Sequence, residues 1–213
     1  MSGGTELFVL VVGVDVAIGP LITLVIFDRN KTFTALRRDI FVVAILQLTA
    51  LGYGLHAVSI SRPVVLALEE DRFRIVAAMD VYIKELPSAA SGLGALSFTG
   101  PRIVRSPLPT DPKQKSDALD LALKGFDIGT RPLLWTHWDD AARKQALTHA
   151  KPLSVLIRKY EGHQSEFKVA VAKTGKPAET LVYIPTITFR GDWVTLLDSL
   201  TGDVVGFAPF DGF

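Results

Sequence analysis

Two long apolar runs stand almost back to back near the start of the chain, covering about residues 7–27 and 40–59. Each is long enough for an α-helix to cross a hydrocarbon core of about 30 Å. Core helices of a soluble protein usually keep a polar stripe, and these runs have almost none. The connector, residues 28–39, carries Arg29, Lys31, Arg37 and Arg38, whereas the six residues ahead of the first run carry no Lys or Arg. An excess of basic residues marks the cytoplasmic side of a membrane hairpin. The pattern therefore predicts a transmembrane α-helical hairpin over residues 1–62 whose basic loop faces the cytoplasm. The N-terminus and residues 63–213 then lie on the far side. The first run is too long for a signal-peptide core and lacks both a basic leading region and a small-residue cleavage site.

Several residues within the hairpin are unusual for lipid. Asp15 falls near the middle of the first run, where a carboxylate is costly and is a functional candidate by default. It contacts a partner helix, serves a proton-linked role or takes part in a hydrogen bond internal to the hairpin. Pro20, in Gly19-Pro20, has no N–H, so it frees the Val16 carbonyl and predicts a kink. Gly19 and Gln47 stand equally far from the connector, eight residues before Phe27 and eight after Asp39. In an antiparallel hairpin this puts them at one depth, with Gln47 placed to donate to the freed carbonyl. By the same count Asp15 lies opposite Leu51 and Gly52, with Tyr53 in reach. Gly13, Gly19, Gly52 and Gly54 would let two helices approach closely. Asp15, Gly19, Pro20, Gln47 and Tyr53 are thus the candidate membrane-embedded binding residues. Arg37 and Arg38 anchor the cytoplasmic interface and Arg62 the outer one, where Pro63 stops the helix.

About 150 residues remain for one further domain of ordinary size. A net charge of +1 suggests no nucleic-acid partner. The absence of cysteine excludes disulfides and thiolate chemistry. Residues 64–68 and 72–76 read as two strands around the turn Glu69-Glu70-Asp71. A short helix is expected over 80–86, and a strand over 96–104 broken at Gly100-Pro101. Asp111-Pro112 opens a helix running to about Lys124, with Asp111 as its N-cap. Residues 136–150 and 152–160 read as helices. Residues 180–189 read as a strand that Pro185 marks as an edge or a bulge. Residues 193–197 and 204–207 form a hairpin turning at Thr201-Gly202. The fold class is an α+β extracytoplasmic domain preceded by the membrane hairpin.

No nucleophile elbow, phosphate loop, dinucleotide fingerprint or zinc signature occurs. His163 and Glu166 are spaced to share one helical face, and His137 precedes Trp138-Asp139-Asp140. Neither has the fuller ligand set of a metal site. Asp71, Asp192 and Asp198 lie in turns, where Asp serves the backbone. The expectation is a non-enzymatic protein with no cofactor. The competing readings are a membrane-anchored periplasmic enzyme and a component of another envelope complex.

The order of short motifs along the chain resembles that of the type IV pilin accessory proteins of the TfpX/TfpZ group. In the hairpin these are Gly13-Val14-Asp15, Gly19-Pro20-Leu21-Ile22-Thr23-Leu24, Phe27, Gln47-Leu48, Ala50-Leu51, Tyr53-Gly54 and Arg62-Pro63. Beyond it come Asp71-Arg72-Phe73, Gly100-Pro101-Arg102 and Arg131-Pro132. The C-terminal part adds Tyr183-Ile184-Pro185, Arg190-Gly191-Asp192-Trp193, Leu197-Asp198 and residues 201–206. The likeness is dense in the hairpin and at the C-terminus and thin between about 110 and 175. It implies a protein of the bacterial inner membrane with a periplasmic domain. The implied function is an accessory or chaperone-like factor for a type IV pilin subunit, with the pilin and the lipid bilayer as partners. Members of the group usually begin with a further hydrophobic segment, and Met1 stands where that segment would end.

Overall fold

The computed structural model describes residues 32–189 and 191–213, together with Val9, Leu21 and residues 12–14 and 16–19. Asp15, Pro20 and most of the first apolar run lie outside the described residues. The chain divides into two compact units, one over Gly3–Arg62 and one containing Pro63–Phe213.

In the first unit, residues 12–14 and 16–19 are helical. Helix α1 spans Phe33–Ser61 and is the one described helix long and apolar enough to cross a membrane. It starts earlier than the expected span at residue 40. Ala35, Leu36, Arg37 and Arg38 are good helix formers, and no Gly or Pro separates them from the apolar run. Arg37 and Arg38 are therefore exposed helical residues near its start rather than loop residues. Its large side chains are exposed around the circumference, among them Phe41, Leu46, Leu48 and Tyr53. Only Val43 and Gly54 are buried among its residues.

The second unit is α+β. Strand β1 (Pro63–Leu68) turns back into β2 (Phe73–Ala77), as the sequence predicted. Short 3₁₀ turns follow at Ala78–Asp80 and Ile83–Ser88, the second containing Pro87, in place of the expected helix. Strand β3 is confined to Arg102–Arg105, because the backbone ahead of it bends through Gly100, whose φ is 130°. Helix α2 (Pro112–Leu123) is capped as expected, the Asp111 carboxylate accepting from Gln114 N at 3.0 Å.

The expected helix over 136–150 divides. Thr136–His137 is strand β4, and helix α3 is Asp140–His149, started by the Asp139 carboxylate on Ala142 N at 2.9 Å. Lys151–Pro152 forms β5 and Leu153–Lys159 helix α4. Helix α5 (Gln164–Thr174), which the sequence reading did not anticipate, ends at Gly175 in the left-handed conformation. Strands β6 (Leu181–Ile187), β7 (Trp193–Asp198) and β8 (Val204–Ala208) close the chain.

Among the described residues the strands form one mixed sheet in the order β4-β3-β1-β2-β6-β7-β8, with β5 beside β6. β1 lies parallel to β3 and β2 parallel to β6, and the other pairings are antiparallel. Side chains alternate between the two faces. Leu66 and Leu68 of β1 pack with Phe73, Ile184, Leu197 and Ala146 of α3. Val65 and Ala67 face the opposite way, toward Val76, Val104, Leu93 and Trp135. Beyond them α4 and α5 cover Leu181, Tyr183, Val194 and Leu196, with Phe210 stacked on Phe167 at 3.9 Å. Burial on both faces explains why β1 is a continuous apolar run rather than an alternating one.

Pro185 corrects one expectation, since β6 is an interior strand and not an edge. On one side β6 pairs with β7 from Leu181 to Thr186, including Pro185 with Val194. On the other, β5 pairs with residues 182 and 183, and β2 with residues 186 and 187. Pro185 occupies the gap between these two partners, where a strand can do without an N–H donor.

Candidate functional site

The candidate residues of the first unit group around one stripe of α1. Leu36, Asp39, Val43, Gln47, Leu51, Gly54 and Val58 are among its covered or half-covered positions, recurring every three or four residues. Gln47 sits on that stripe and Tyr53 off it, with Tyr53 77% exposed. Gly19 is buried, and a Cβ placed on it would lie 3.1 Å from Gln47 Nε2. The structure thus brings Gly19 and Gln47 together, at the shared depth that equal spacing implied. It does not form the expected bond. Gln47 Nε2 is buried without a hydrogen-bond partner, so it does not donate to the Val16 carbonyl. The side chain packs its amide against the glycine instead. Gly13 and Gly52 are not close-approach positions, since a Cβ on either would meet nothing within 4 Å. Thr49, the other polar residue at mid-helix, returns its hydroxyl to Ile45 O at 2.8 Å.

Arg38 is 78% exposed at its side chain and lies 3.8 Å from Asp39. Arg62 closes the other end of α1, where its guanidinium donates to the Ser59 carbonyl and to Ser59 Oγ. A cation at this end complements both the unpaired carbonyls and the helix dipole. Asp15 and Pro20 lie outside the described residues.

In the second unit a cleft of about 630 Å³ opens between α2 and the β1–β2 turn. Leu108, Ala118, Leu119 and Ile128 form its apolar wall, and Glu69, Arg72, Lys115 and Asp127 its polar side. Glu69 is 2% exposed and accepts from Arg74 Nε at 2.6 Å and from Arg72 Nε at 2.9 Å. Arg74 also reaches Asp127 at 2.9 Å. The Glu69 carboxylate holds the Arg72 guanidinium above its ordinary pKa, through their hydrogen bond first, against the opposing effect of burial. Both oxygens of Glu69 are engaged by guanidinium groups, so the arrangement braces the turn rather than presenting a free carboxylate. The sequence pattern marks residues 69–71 only as a turn. The signal was present in Arg72 and Arg74, which point alternate charges back at an acidic turn.

A smaller cleft of about 350 Å³ lies along α5, lined by Glu166, Val169, Lys173, Trp193 and Phe207. His163 Nδ1 and Glu166 Oε1 are 3.0 Å apart, each about half exposed. Among the described residues no group of three or more His, Asp or Glu side chains is arranged to hold a metal ion.

The likeness to known proteins runs across both units. No family model matches the chain, and no solved structure does. The chain is 28% identical over 200 residues to the fimbrial assembly protein of serogroup I from Dichelobacter nodosus, covering 93% of this chain and 77% of that protein. The serogroup E1 protein of the same organism aligns to the same extent, also at 28% identity. The fimbrial assembly protein of serogroups C1 and C2 is 34% identical over 89 residues, which cover 42% of this chain and 68% of that protein. By that likeness, and by the motif order along its own sequence, the chain belongs to the family of these fimbrial assembly proteins, a type IV pilus accessory family.

Proposed function

We propose that this protein serves pilus biogenesis as a membrane-bound, non-enzymatic accessory factor. In this reading it supports the stability or assembly of a type IV pilin subunit from the bacterial inner membrane. The observation that carries the proposal is the alignment over 93% of the chain with proteins named for fimbrial assembly. A match of that extent takes in both the apolar unit and the α+β domain, which supports reading the two as parts of one device. Helix α1 is apolar on nearly every side, which suits a lipid environment better than a water-facing one. A pilin awaiting assembly is itself an apolar helix in the membrane with a globular head outside. A partner with an apolar unit and a domain beyond it matches that division. The basic residues at 29, 31, 37 and 38 support a cytoplasmic connector and a periplasmic domain.

Tagged full-length protein, solubilised from membranes of a piliated host, should co-purify with its cognate pilin. Deleting the gene should lower pilin abundance or surface pili. Normal piliation without the protein would overturn the reading. A phosphatase reporter fused after Phe213 should be active, and a cytoplasm-only fluorescent reporter dark. Asp15→Asn tests the membrane-embedded role: pilin should fall while this protein still accumulates.

A further inference from the structure

We propose that the pole of the sheet where the chain enters the α+β domain seats on the bilayer surface through Met79, Phe98 and Phe189. The proposal rests on the membrane-anchored reading above. Three strand pairings carry these residues to one end. Pro63, the first residue of β1, follows Arg62 directly and pairs with Ala77, the last residue of β2. Met79 lies two residues beyond Ala77, in the 3₁₀ turn. β3 runs parallel to β1 with Arg102 opposite Val65, so the chain enters β3 from the Pro63 end. Phe98, four residues earlier, lies within about 14 Å of chain from Arg102. β6 runs parallel to β2 with Ile187 opposite Arg74, so residues past Ile187 travel the same way as Ile75, Val76 and Ala77. Phe189 stands in the loop that follows, which Thr188 Oγ1 closes on Gly191 O at 2.8 Å.

Phe189 is 96% exposed, Phe98 81% and Met79 61%. Widely separated in sequence, they converge only through the fold. Exposed aromatic and apolar tips are costly in water and favourable at the boundary between headgroups and acyl chains. Arg102, exposed at the start of β3, adds a cation for lipid phosphate at the same pole. What identifies the occupant as lipid is covalent continuity. The domain begins at the residue after Arg62, with no linker between Pro63 and the apolar helix that ends at Ser61. A helix that ends at the outer interface therefore tethers Pro63, the first residue of the domain, within one residue of that interface.

The chain contains no cysteine, so single nitroxide labels can be placed cleanly. The experiment uses the full chain in vesicles of phosphatidylethanolamine and phosphatidylglycerol, labelled singly after Met79→Cys, Phe98→Cys or Phe189→Cys. Leu48→Cys reports on α1. Leu200→Cys is the control, 85% exposed at the opposite pole beyond Asp198, the partner of Leu181. That control lies about 25 Å from Phe189 at strand rise. Labels at 98 and 189 should favour collision with oxygen over a water-soluble nickel chelate, as lipid-exposed sites do. The label at 200 should show the opposite preference. If Leu48→Cys reports lipid while 98 and 189 report water, the proposal falls and the membrane anchor stands. If Leu48→Cys reports water, both fall. Labels at 98 and 189 shielded from both reagents would signify a protein contact and overturn the proposal.

Discussion

The ion pair between Arg131 and Glu85 is the sharpest test of how the sheet's cover is held. The two side chains are 6% and 13% exposed. Arg131 Nη2 and Nε both donate to Glu85 Oε1, at 2.6 and 3.2 Å, and Leu133 N approaches Oε2 at 3.4 Å. Arg131 Nη1 is buried without a partner, so the guanidinium has no reserve acceptor. Glu85→Leu would strand a buried cation. Two charge-assisted hydrogen bonds at about 1.5–3 kcal/mol each, the longer counted at the low end, give about 4 kcal/mol. The general cost of breaking a buried pair by removing one partner, about 3–5 kcal/mol, agrees. Replacing both residues removes the stranded charge, so Glu85→Leu with Arg131→Leu should cost less than either change alone. Urea unfolding in detergent provides the assay, followed by tryptophan emission. Trp135, 2% exposed and donating to Gly129 O at 2.9 Å, belongs to the same layer. With a slope of about 2 kcal/mol per molar urea, the single change should lower the midpoint by about 2 M. A loss below about 1 kcal/mol, or a double variant whose cost equals the sum of the singles, would refute the reasoning.

Gln47→Leu should leave the apolar unit as stable as before or stabilise it, because the buried Nε2 makes no hydrogen bond to lose. A loss of about 1 kcal/mol in detergent unfolding would instead restore the bond to the Val16 carbonyl. Gly202→Ala should cost about 2 kcal/mol by urea unfolding, combining the left-handed penalty with displacement of a neighbour. Gly202 has φ 73°, and its Cβ would stand 2.9 Å from Arg143 Cβ and 3.1 Å from Arg143 O. Unchanged stability would count against that close approach. Asp198 is held below the ordinary carboxylate pKa by Lys176 first, then by Leu200 N and Thr201 N. A depressed folded-state pKa gives stability that is complete above the unfolded value of about 3.9 and lost as pH falls through the lower folded value. Unfolding free energies between about pH 7 and 2 should therefore drop in that acid window, and less steeply in Asp198→Asn. Equal pH profiles would overturn this.

Much of the candidate site was legible in the sequence for a simple reason: the signals are local. An apolar run of this length commits its backbone to a helix whatever surrounds it, and equal spacing from one connector sufficed to pair Gly19 with Gln47. The orientation of the Gln47 amide was not legible, since a hydrogen bond is decided by a rotation about side-chain torsions that spacing does not specify. Asp111 and Asp139 capped their helices, and Asp198 served its turn, through contacts two or three residues away.

The chain by itself determined which segments are helix, strand and turn wherever propensity and periodicity agree. The tertiary structure decided what lies beside what. It set Pro185 in the gap between β5 and β2, made 136–137 a strand by giving it Arg105 and Val104 to pair with, and enclosed the polar-looking 164–174 as a helix against β8. Strand pairing joins residues distant in sequence, and its free energy comes from partners that no local pattern names.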